Sequence, residues 1–370
     1  MPDTAPTSPS SGSTTSPTHG PATNHRIVLA RRPYGMVSDE DFRHEEVSAP
    51  APGPGEALVR NLYLSLDPAM RGWMNDQKSY VPPIGIGEVV RCGGVGEVLV
   101  SGVEGWSVGD LVTGICGWQE LCIGAARGPQ AMTKLAAGTD PTAALSVYGA
   151  TGLTAWFGLF DVGRPQGNET VVVSGAAGAT GSVVAQLAKA HGCRVVGIAG
   201  GPEKCAWLLE LGLDAAVDYR GDLRKELARA CPDGVDLFFD NVGGTILEAV
   251  LALIRDRARV VLCGAISGYN DTAASPGPRN LSQLIVHRGR MEGFIVFDYA
   301  SRYPEAQAGL AKLVDEGRLR WKVDVVEGLA AAPEAINLLF TGGNTGKLLV
   351  HLADPTSAGG AGGAGGGADA

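Results

Sequence analysis

Three glycines at three-residue intervals, Gly175, Gly178 and Gly181, separate an apolar run from an amphipathic segment. Glycines at this spacing allow a tight turn and a close approach of the backbone to a phosphate group. Val171 to Val173 is apolar and β-branched, which predicts a buried strand, and residues 183–188 carry apolar side chains at helical spacing. A strand, a glycine turn and a helix N-terminus in this order are typical of the pyrophosphate site of a dinucleotide-binding unit.

The residues after the next predicted strand, Arg194 to Ile198, indicate which dinucleotide this unit takes. In a unit that binds NAD, an Asp or Glu about 20 residues beyond the glycines usually holds the ribose 2′-hydroxyl. Residues 199–201 contain no acid, whereas Lys204 follows at the start of the next helix and Tyr219 ends the following strand. This combination favours the 2′-phosphate of NADP. The alternatives are that Lys204 is a solvated helix residue and that Tyr219 is an ordinary aromatic at the end of a strand. For the three glycines, the alternative is a tight strand–helix turn without a cofactor.

The stretch Leu62 to Met74 places two aromatic residues around Asp67, Pro68 and Arg71. One interpretation is a loop in which Asp67 and Arg71 pair locally. The other is a wall of a substrate pocket, and the residues alone leave both open.

The elements that must position these residues fall into two patterns. Between His25 and Leu145, Gly and Pro punctuate short β-like runs, which suggests a small barrel or sandwich. From about Ser146, strands alternate with helices, which implies a parallel, doubly wound sheet. The closing stretch Trp321 to Leu352 has the pattern strand, helix, strand and is expected to complete the first domain. The expected strands are Arg26 to Ala30, Glu56 to Leu64, Gly87 to Arg91, Gly96 to Val100, Val171 to Ser174, Arg194 to Ile198, Ala215 to Asp218, Val235 to Phe239, Ala258 to Cys263 and Met291 to Val296.

The ends of the chain differ in composition from the rest. Residues 1–23 are rich in Ser, Thr and Pro, and residues 354–370 are rich in Gly and Ala, so both are expected to be disordered tails. Between them we expect one domain from residues 24–145 with 317–353, and a second domain from residues 146–316.

Composition and charge argue against several classes of protein. With 370 residues, of which 45% are hydrophobic, the chain has room for two folded domains. The formal net charge of −9 argues against a nucleic-acid partner, because phosphate binding needs a basic surface. We find no basic, apolar signal sequence, no apolar run of the roughly 18 residues that a membrane span needs, and no C-x-x-C pair among the cysteines. These features predict a cytoplasmic protein with reduced thiols and no membrane partner.

Several longer motifs resemble the zinc-free medium-chain dehydrogenase/reductases, specifically the prostaglandin reductase, curcumin reductase and alkenal double-bond reductase branch. The resemblance covers about His25 to Leu352. It is carried by LYLSLDPAMRG (Leu62 to Gly72), SGAAGATGSVV (Ser174 to Val184), GIAGGPEKC (Gly197 to Cys205), FDNVGG (Phe239 to Gly244), CGAISGYN (Cys263 to Asn270), EGFIV (Glu292 to Val296) and GGNTGK (Gly342 to Lys347).

The resemblance implies an α/β protein with two domains and an active-site cleft between them. One would be a GroES-like, β-rich catalytic domain and the other a Rossmann domain with a doubly wound parallel sheet. The implied cofactor is NADP(H), and the implied reaction is NADPH-dependent reduction of the carbon–carbon double bond of an enone or enal. A homodimer is implied as well.

The resemblance also implies a set of residues for each part of the cofactor. The pyrophosphate would be lined by Gly178, Ala179, Thr180 and Gly181. The 2′-phosphate would lie at Lys204 and Tyr219. The nicotinamide half would be reached by Asn241. The rest of the cofactor pocket would be formed by Cys263, Gly264, Ala265, Ile266, Ser267, Tyr269, Phe294, Ile295, Val296 and Asn344.

Tyr269 is the candidate catalytic residue, because its hydroxyl is expected near the reacting atoms. A hydride adds to the β-carbon of the substrate, and charge then develops on the carbonyl oxygen, where a hydrogen-bond donor is useful. A packing tyrosine at Tyr269 and a simple turn residue at Asn241 are the alternatives. Two departures from the family pattern stand out: Ala69 replaces a Tyr common in relatives, which widens the pocket, and Gly268 replaces a larger polar residue, which loosens Tyr269.

A metal is the alternative electrophile for such chemistry. Zinc alcohol dehydrogenases need Cys, His and Glu ligands, but the comparable stretch Ile84 to Val90 has no His before Glu88, and a four-cysteine cluster is absent. We therefore expect no metal. A quinone reductase of the same superfamily and an NADPH-binding redox sensor without turnover remain alternatives to the enone reductase.

Overall fold

Two large β-sheets organise the chain: a seven-stranded sheet that includes strands from both ends, and a six-stranded sheet built from the residues between them. The structure, a computed structural model, describes residues 22–274 and 276–356. Most of the two predicted tails lies outside the described residues.

The seven-stranded sheet is mixed and has the order β14-β15-β3-β4-β5-β7, with β6 paired to β3. Its last two strands come from the closing stretch of the chain: β15 pairs antiparallel with β3 and parallel with β14. The closing stretch therefore joins the sheet formed by the first segment, as its pattern predicts. The strands are β3 (Glu56–Ser65), β4 (Gly93–Ser101), β5 (Leu111–Ile115), β6 (Leu121–Ala125), β7 (Met132–Lys134), β14 (Val323–Glu327) and β15 (Lys347–His351).

A separate two-stranded ribbon of β1 (Thr23–Leu29) and β2 (Phe42–Ser48) packs against this sheet. The predicted strand Gly87 to Arg91 is wrong. Only Val89 forms an isolated bridge, to Val28 of β1. The physical reason is Gly87, whose φ of +86° interrupts the extended backbone that a strand requires.

The six-stranded sheet is parallel and has the order β10-β9-β8-β11-β12-β13. The first strand in sequence lies in the middle, so the direction of winding reverses between β8 and β11. Ligands of doubly wound sheets bind outside the carboxyl ends of the strands at such a point. The strands are β8 (Thr170–Ser174), β9 (Arg194–Ala199), β10 (Ala215–Asp218), β11 (Val235–Asp240), β12 (Ile254–Leu262) and β13 (Arg290–Gly293).

Helices cover both faces of this sheet and explain why its central strands are apolar along their whole length. All five residues of β8 are buried, which is usual for a parallel strand packed on both sides. No helix within the described residues is long and apolar enough to cross a membrane. Among the described residues, the α-helices are α1 (Ala69–Trp73), α2 (Pro141–Leu145), α3 (Ala150–Phe157), α4 (Ala179–Ala190), α5 (Pro202–Glu210), α6 (Leu223–Ala230), α7 (Gly244–Leu251), α8 (Ser282–Val286), α9 (Tyr303–Asp315), α10 (Ala332–Ala335) and α11 (Leu338–Thr341).

Two segments of the structure differ from the elements predicted for them. The strand expected at Met291 to Val296 ends at Gly293, and a 3₁₀ helix, Val296–Arg302, follows it. The stretch Leu62 to Met74 is more than a loop, because it contains the end of β3 and the short helix α1.

The carboxyl-terminal residues that the structure describes contact the first sheet. Glu97 is 1% exposed, and the Thr356 amide donates a hydrogen bond to its Oε2 at 3.0 Å. Arg60 pairs with the same carboxylate at 2.8 Å and also donates to the carbonyl oxygen of Asp354. Burial would raise the pKa of Glu97, but the hydrogen bonds from Thr356 and the pairing with Arg60 lower it. Folded structure therefore extends slightly beyond the limits predicted for both tails, since β1 already begins at Thr23.

We expect a chain that ends at Ala353 to be less stable than a chain that ends at Thr356. The shorter chain leaves the buried Glu97 carboxylate with Arg60 as its remaining charge-assisted partner. Loss of a hydrogen bond to a buried charged group costs about 1.5–3 kcal/mol. Urea unfolding of both chains measures the difference. Equal free energies of unfolding would show that the Thr356 contact adds nothing to stability.

Candidate active site

The glycine turn lies between β8 and α4, at the carboxyl edge of the parallel sheet. Gly175 has a φ of +56°, which glycine adopts without the steric cost that other residues pay. A methyl group on Gly181 would lie 2.3 Å from the Gly175 carbonyl oxygen, so only glycine allows helix and turn to pack this closely. The predicted pyrophosphate residues Gly178, Ala179, Thr180 and Gly181 therefore cap or begin a 12-residue helix, whose N-terminal amides suit an anion.

A loop of the other sheet closes over this turn. The Gly346 amide donates to the Ala177 carbonyl oxygen at 2.8 Å, and Gly178 and Gly346 form an isolated bridge. Asn344, a predicted pocket residue, is 9% exposed, and its Nδ2 donates to the Gly346 carbonyl oxygen at 3.0 Å. Asn344 thus lies beside the glycine turn, where it stabilises the loop that contacts the turn.

Two cations and a phenol converge beside this loop. A methyl group on Gly342 would lie 3.8 Å from Lys204 Nζ, 3.8 Å from the Tyr219 hydroxyl and 4.0 Å from Arg220 Nη2. Lys204 Nζ donates to the Gly342 carbonyl oxygen at 2.9 Å. Lys204 and Tyr219 thus lie close together, and their contact with a 2′-phosphate stays a prediction.

The electrostatics of this cluster favour an anion. Burial lowers the pKa of Lys204, and the nearby positive charge of Arg220 lowers it further. In the chain between residues 22 and 356, leaving out Ser275, neither cation forms an ion pair with a carboxylate. The Asp218 carboxylate instead accepts hydrogen bonds from the Gly201 and Arg220 amides. Sequence reasoning missed Arg220, although it directly follows Tyr219.

A hydrogen-bond network surrounds Asn241 at the point where the sheet reverses its winding. Asp240 is fully buried, and its Oδ1 accepts from the Ser174 hydroxyl at 2.7 Å and from the Gly243 amide at 3.0 Å. The Asn241 amide donates to Ser174 Oγ at 2.8 Å, and Asn241 Nδ2 donates to the Ser174 carbonyl oxygen at 2.7 Å. The side-chain amide of Asn241 is therefore held by β8, and its contact with a nicotinamide stays a prediction. Ser174 and Asp240 were not singled out from the sequence.

Tyr269 lies just after β12 at the same sheet edge. Its hydroxyl oxygen accepts a hydrogen bond from the Ala265 amide at 3.2 Å. Across residues 22–274 and 276–356, that hydroxyl donates to no protein acceptor, so its proton is available to a ligand. Burial raises the pKa of Tyr269, which keeps the hydroxyl protonated at neutral pH.

The other predicted pocket residues fall into two groups. Cys263, Gly264, Ala265, Ile266 and Ser267 form the turn from β12 toward Tyr269, and burial raises the pKa of the Cys263 thiol to about 12. In the second group, the ring of the partly buried Phe294 packs edge-on against the core residue Phe239, with centroids 6.5 Å apart. Ile295 and Val296 continue the chain from Phe294 and are partly buried. The cofactor contacts of both groups stay predictions.

The local pairing of Asp67 with Arg71 is wrong. Asp67 Oδ1 instead pairs at 2.7 Å with Lys347, which is 2% exposed. Arg71 donates elsewhere, including to Asn270. The two side chains find partners far away in sequence because β15 and the loop after β12 both reach this helix.

An aromatic cluster that the sequence did not reveal spans the boundary between the two domains. Trp73 Nε1 donates to the Tyr80 hydroxyl at 3.1 Å, and the rings of Tyr80 and Phe297 have centroids 6.2 Å apart. Burial raises the pKa of Tyr80, the hydrogen bond from Trp73 opposes this effect, and the negative charge of Asp67 adds to it. Trp73 belongs to the stretch interpreted as a pocket wall, an interpretation that this cluster supports.

The fold and the site together are those of a dinucleotide-dependent oxidoreductase. Residues 25–132 match the family described as N-terminal domain of oxidoreductase, and residues 179–312 match that described as zinc-binding dehydrogenase. The NADPH-dependent curcumin reductase of Escherichia coli (strain K12) is 41% identical over 338 residues, covering 89% of this chain and 97% of that protein. The NADP(+)-dependent 2-alkenal reductase of Nicotiana tabacum is 40% identical over 341 residues, covering 89% and 98%.

The crystal structure of CurA from Vibrio vulnificus in complex with NADPH agrees with these matches. It is 41% identical, covers 90% of this chain and 100% of that chain, and superimposes with a TM-score of 0.85. The chain therefore belongs to the medium-chain dehydrogenase/reductase family, in the branch of curcumin and alkenal reductases. The family and the α/β fold class expected from the sequence are confirmed.

The side chains at the comparable position do not fit a zinc ion. Between residues 22 and 356, Ser275 apart, no three His, Cys, Asp or Glu side chains are grouped closely enough to hold a metal. Glu88 instead accepts a hydrogen bond from the Gly85 amide at 2.8 Å in an exposed turn. Cys92, which follows this stretch, is buried in the hydrophobic core of the first sheet.

We expect the purified protein to contain no stoichiometric zinc and to keep its activity after treatment with a chelator. The reason is the missing ligand set, since catalytic zinc needs three protein ligands. Elemental analysis and turnover before and after chelation are the measurements, with a zinc alcohol dehydrogenase treated in parallel. One zinc ion per chain, or activity lost on chelation and restored by zinc, would contradict this expectation.

Proposed function

We propose that this protein is an NADPH-dependent reductase of the carbon–carbon double bond of α,β-unsaturated aldehydes and ketones. The observation that carries the proposal is the position of Tyr269 at the ligand-binding edge of the parallel sheet. Its hydroxyl accepts a hydrogen bond from the Ala265 amide and can donate one to a ligand. The activities named for the E. coli and tobacco relatives support the same reaction class.

The residues present fit NADPH. The N-terminus of α4 suits the pyrophosphate, and Lys204 with Arg220 suits the additional phosphate that distinguishes NADP from NAD. When bound, NADPH supplies the hydride that adds to the β-carbon of the substrate. The Vibrio relative crystallised in complex with NADPH supports this assignment.

The chain itself stabilises the charge that develops on the substrate. After the hydride arrives, negative charge lies on the former carbonyl oxygen, and the Tyr269 hydroxyl donates a hydrogen bond to it or to a ribose hydroxyl that does so. A proton from water then adds to the α-carbon, which converts the enolate into the saturated carbonyl product. The raised pKa of Cys263 keeps this neighbouring thiol neutral, so it adds no charge that would oppose the oxyanion.

The experiment that tests the proposal is NADPH oxidation with a small enal, a long-chain enone and a quinone, followed by mass spectrometry of the products. A saturated aldehyde or ketone is the expected product. If only the quinone is reduced, the protein is a quinone reductase and the proposal is wrong. NADPH binding without turnover of any of them would favour a redox sensor.

We also propose a homodimer. β13 is the edge strand of the six-stranded sheet, and the short helix α8 before it exposes Ile285 and Val286, which are 80% and 59% accessible. An open edge strand beside exposed apolar residues favours association with another chain. Light scattering after size-exclusion chromatography gives the mass, and the mass of one chain would contradict the dimer.

A further inference from the structure

Arg71 is a buried cation whose hydrogen-bond acceptors, among the residues that the structure describes, are all neutral groups. It is 3% exposed. Its Nε donates to the Gly35 carbonyl oxygen at 2.9 Å and to Asn270 Oδ1 at 3.1 Å. Its Nη1 donates to Asn75 Oδ1 at 2.6 Å, and its Nη2 donates to the Pro33 carbonyl oxygen at 3.1 Å.

Such an arrangement is costly unless the guanidinium does something that a neutral side chain cannot. Within the described parts of the chain, Arg71 forms no ion pair, and burial lowers its pKa. What the guanidinium offers is a rigid, planar set of five N–H donors. Here these donors connect segments that are remote in sequence, so the shape of the group, rather than a charge pair, explains its burial.

One of the four acceptors comes from the other domain. Gly35, Pro33 and Asn75 belong to the segment that includes α1, whereas Asn270 lies in the loop after β12. Asn270 Nδ2 also approaches Met36 Sδ at 3.0 Å, so both ends of its amide contact the first domain. Arg71 and Asn270 therefore form a bridge across the boundary between the two domains.

Asn270 directly follows Tyr269, so this bridge holds the loop that carries the candidate donor. The loop also has turn bonds of its own: the Gly268 amide donates to the Ala265 carbonyl oxygen at 2.9 Å, and the Tyr269 amide donates to the Ile266 carbonyl oxygen at 3.4 Å. On the first-domain side of Tyr269, however, the side-chain contacts of the loop are those of Asn270 with Arg71 and Met36. Gly268 adds backbone freedom immediately before Tyr269. We propose that Arg71, acting through Asn270, is a positioning residue that fixes the Tyr269 loop against the first domain. Its catalytic consequence rests on the proposed function.

The expected size of the effect follows from geometry. Tyr269 must stay in place when charge forms on the substrate, and a misplacement of about 1 Å can cost about 10²-fold in rate. The loop keeps its own turn bonds when the bridge is lost, so we expect a smaller effect, about tenfold.

The test compares two matched variants. Asn270→Ala removes the bridge, whereas Asn75→Ala removes another side-chain acceptor of Arg71 but leaves the bridge intact. Both residues are partly buried. We expect Asn270→Ala to lower kcat about tenfold with little change in KM or NADPH affinity, and Asn75→Ala to leave kcat within about twofold of wild type. Asn270→Asp keeps an acceptor for Arg71 and is expected to retain most of kcat.

A double variant separates positioning of Tyr269 from a general structural role. If Asn270 acts through the Tyr269 hydroxyl, adding Asn270→Ala to Tyr269→Phe should cause little further loss of kcat. Fully multiplicative losses, or equal kcat values for Asn270→Ala and wild type, would overturn the positioning role.

Hydrogen exchange of the amides in residues 265–271 tests the bridge independently of enzyme activity. We expect faster exchange in Asn270→Ala and unchanged exchange in Asn75→Ala. Unchanged exchange in Asn270→Ala would overturn the bridge even if the wild-type protein reduces enones. If the wild-type protein reduces no enone and the Asn270→Ala variant still exchanges faster, the bridge is supported and only the proposed function is refuted.

Discussion

We expect Tyr269→Phe to lower kcat and kcat/KM together by about 10²-fold, the lower end of what a positioned acid or base contributes. The substitution keeps the ring and removes the hydroxyl that has a proton to donate. The Ala265 amide loses its acceptor, but Ala265 is exposed, so water can replace that hydrogen bond. Because the ring stays in place and the turn keeps its hydrogen bonding, the affinity for NADPH should change little.

The measurement is steady-state kinetics with an enone, repeated with deuterated NADPH to establish that hydride transfer limits the rate. Tyr148→Phe is a suitable control, because Tyr148 is a partly buried phenol that packs against Trp321, in a different cluster from Tyr269. Unchanged kcat in Tyr269→Phe under a rate-limiting hydride step would make Tyr269 a packing residue.

The pH dependence gives a second signature of the same hydroxyl. Because burial raises the pKa of Tyr269 above the ordinary value near 10, the donor form persists through neutral and moderately alkaline pH. Activity that needs this proton falls only as pH rises through the raised pKa. The Phe variant should lack that alkaline decrease, and wild type and variant with the same alkaline profile would assign the decrease to another group.

The sequence predicted the parts of the site that depend on local patterns. The glycine turn is readable because Gly175 and Gly181 meet steric demands set by their immediate neighbours. The parallel sheet is readable because each strand is a short apolar run followed by a helix. Lys204 was predicted as a 2′-phosphate ligand from its distance in sequence to the glycines, which again uses only nearby residues.

The parts that were missed depend on contacts between remote segments. Asp67 and Arg71 are four residues apart and of opposite charge, yet β15 brings Lys347 to Asp67, and the loop after β12 brings Asn270 to Arg71. Tyr80 and Phe297 meet only because the two domains meet. Spacing along the chain carries no information about such partners, so the interpretation of this stretch as a loop paired Asp67 with the opposite charge nearest in sequence.

We expect Lys204→Ala and Arg220→Ala each to weaken NADPH binding by about 10- to 100-fold and to leave NADH binding nearly unchanged. A charge-assisted hydrogen bond contributes roughly 1.5–3 kcal/mol, and about 1.4 kcal/mol corresponds to a tenfold change in affinity. NADH lacks the 2′-phosphate, so it gains little from either cation. Titration calorimetry or fluorescence measures the affinity of wild type and of each variant for both dinucleotides. Lys225→Ala is the matched control, because Lys225 is an exposed cation on α6.

The two cations should also depend on each other. Burial lowers the pKa of Lys204, and the positive charge of Arg220 lowers it further. A bound phosphate offsets the repulsion between the two cations, so the pKa of Lys204 should rise when NADPH binds. NADPH binding should therefore be accompanied by proton uptake at alkaline pH. The double variant should lose less affinity than the product of the single losses, since both side chains serve one phosphate. Equal wild-type affinity for NADPH and NADH would contradict this assignment, because the two cations beside Gly342 would then select no anion.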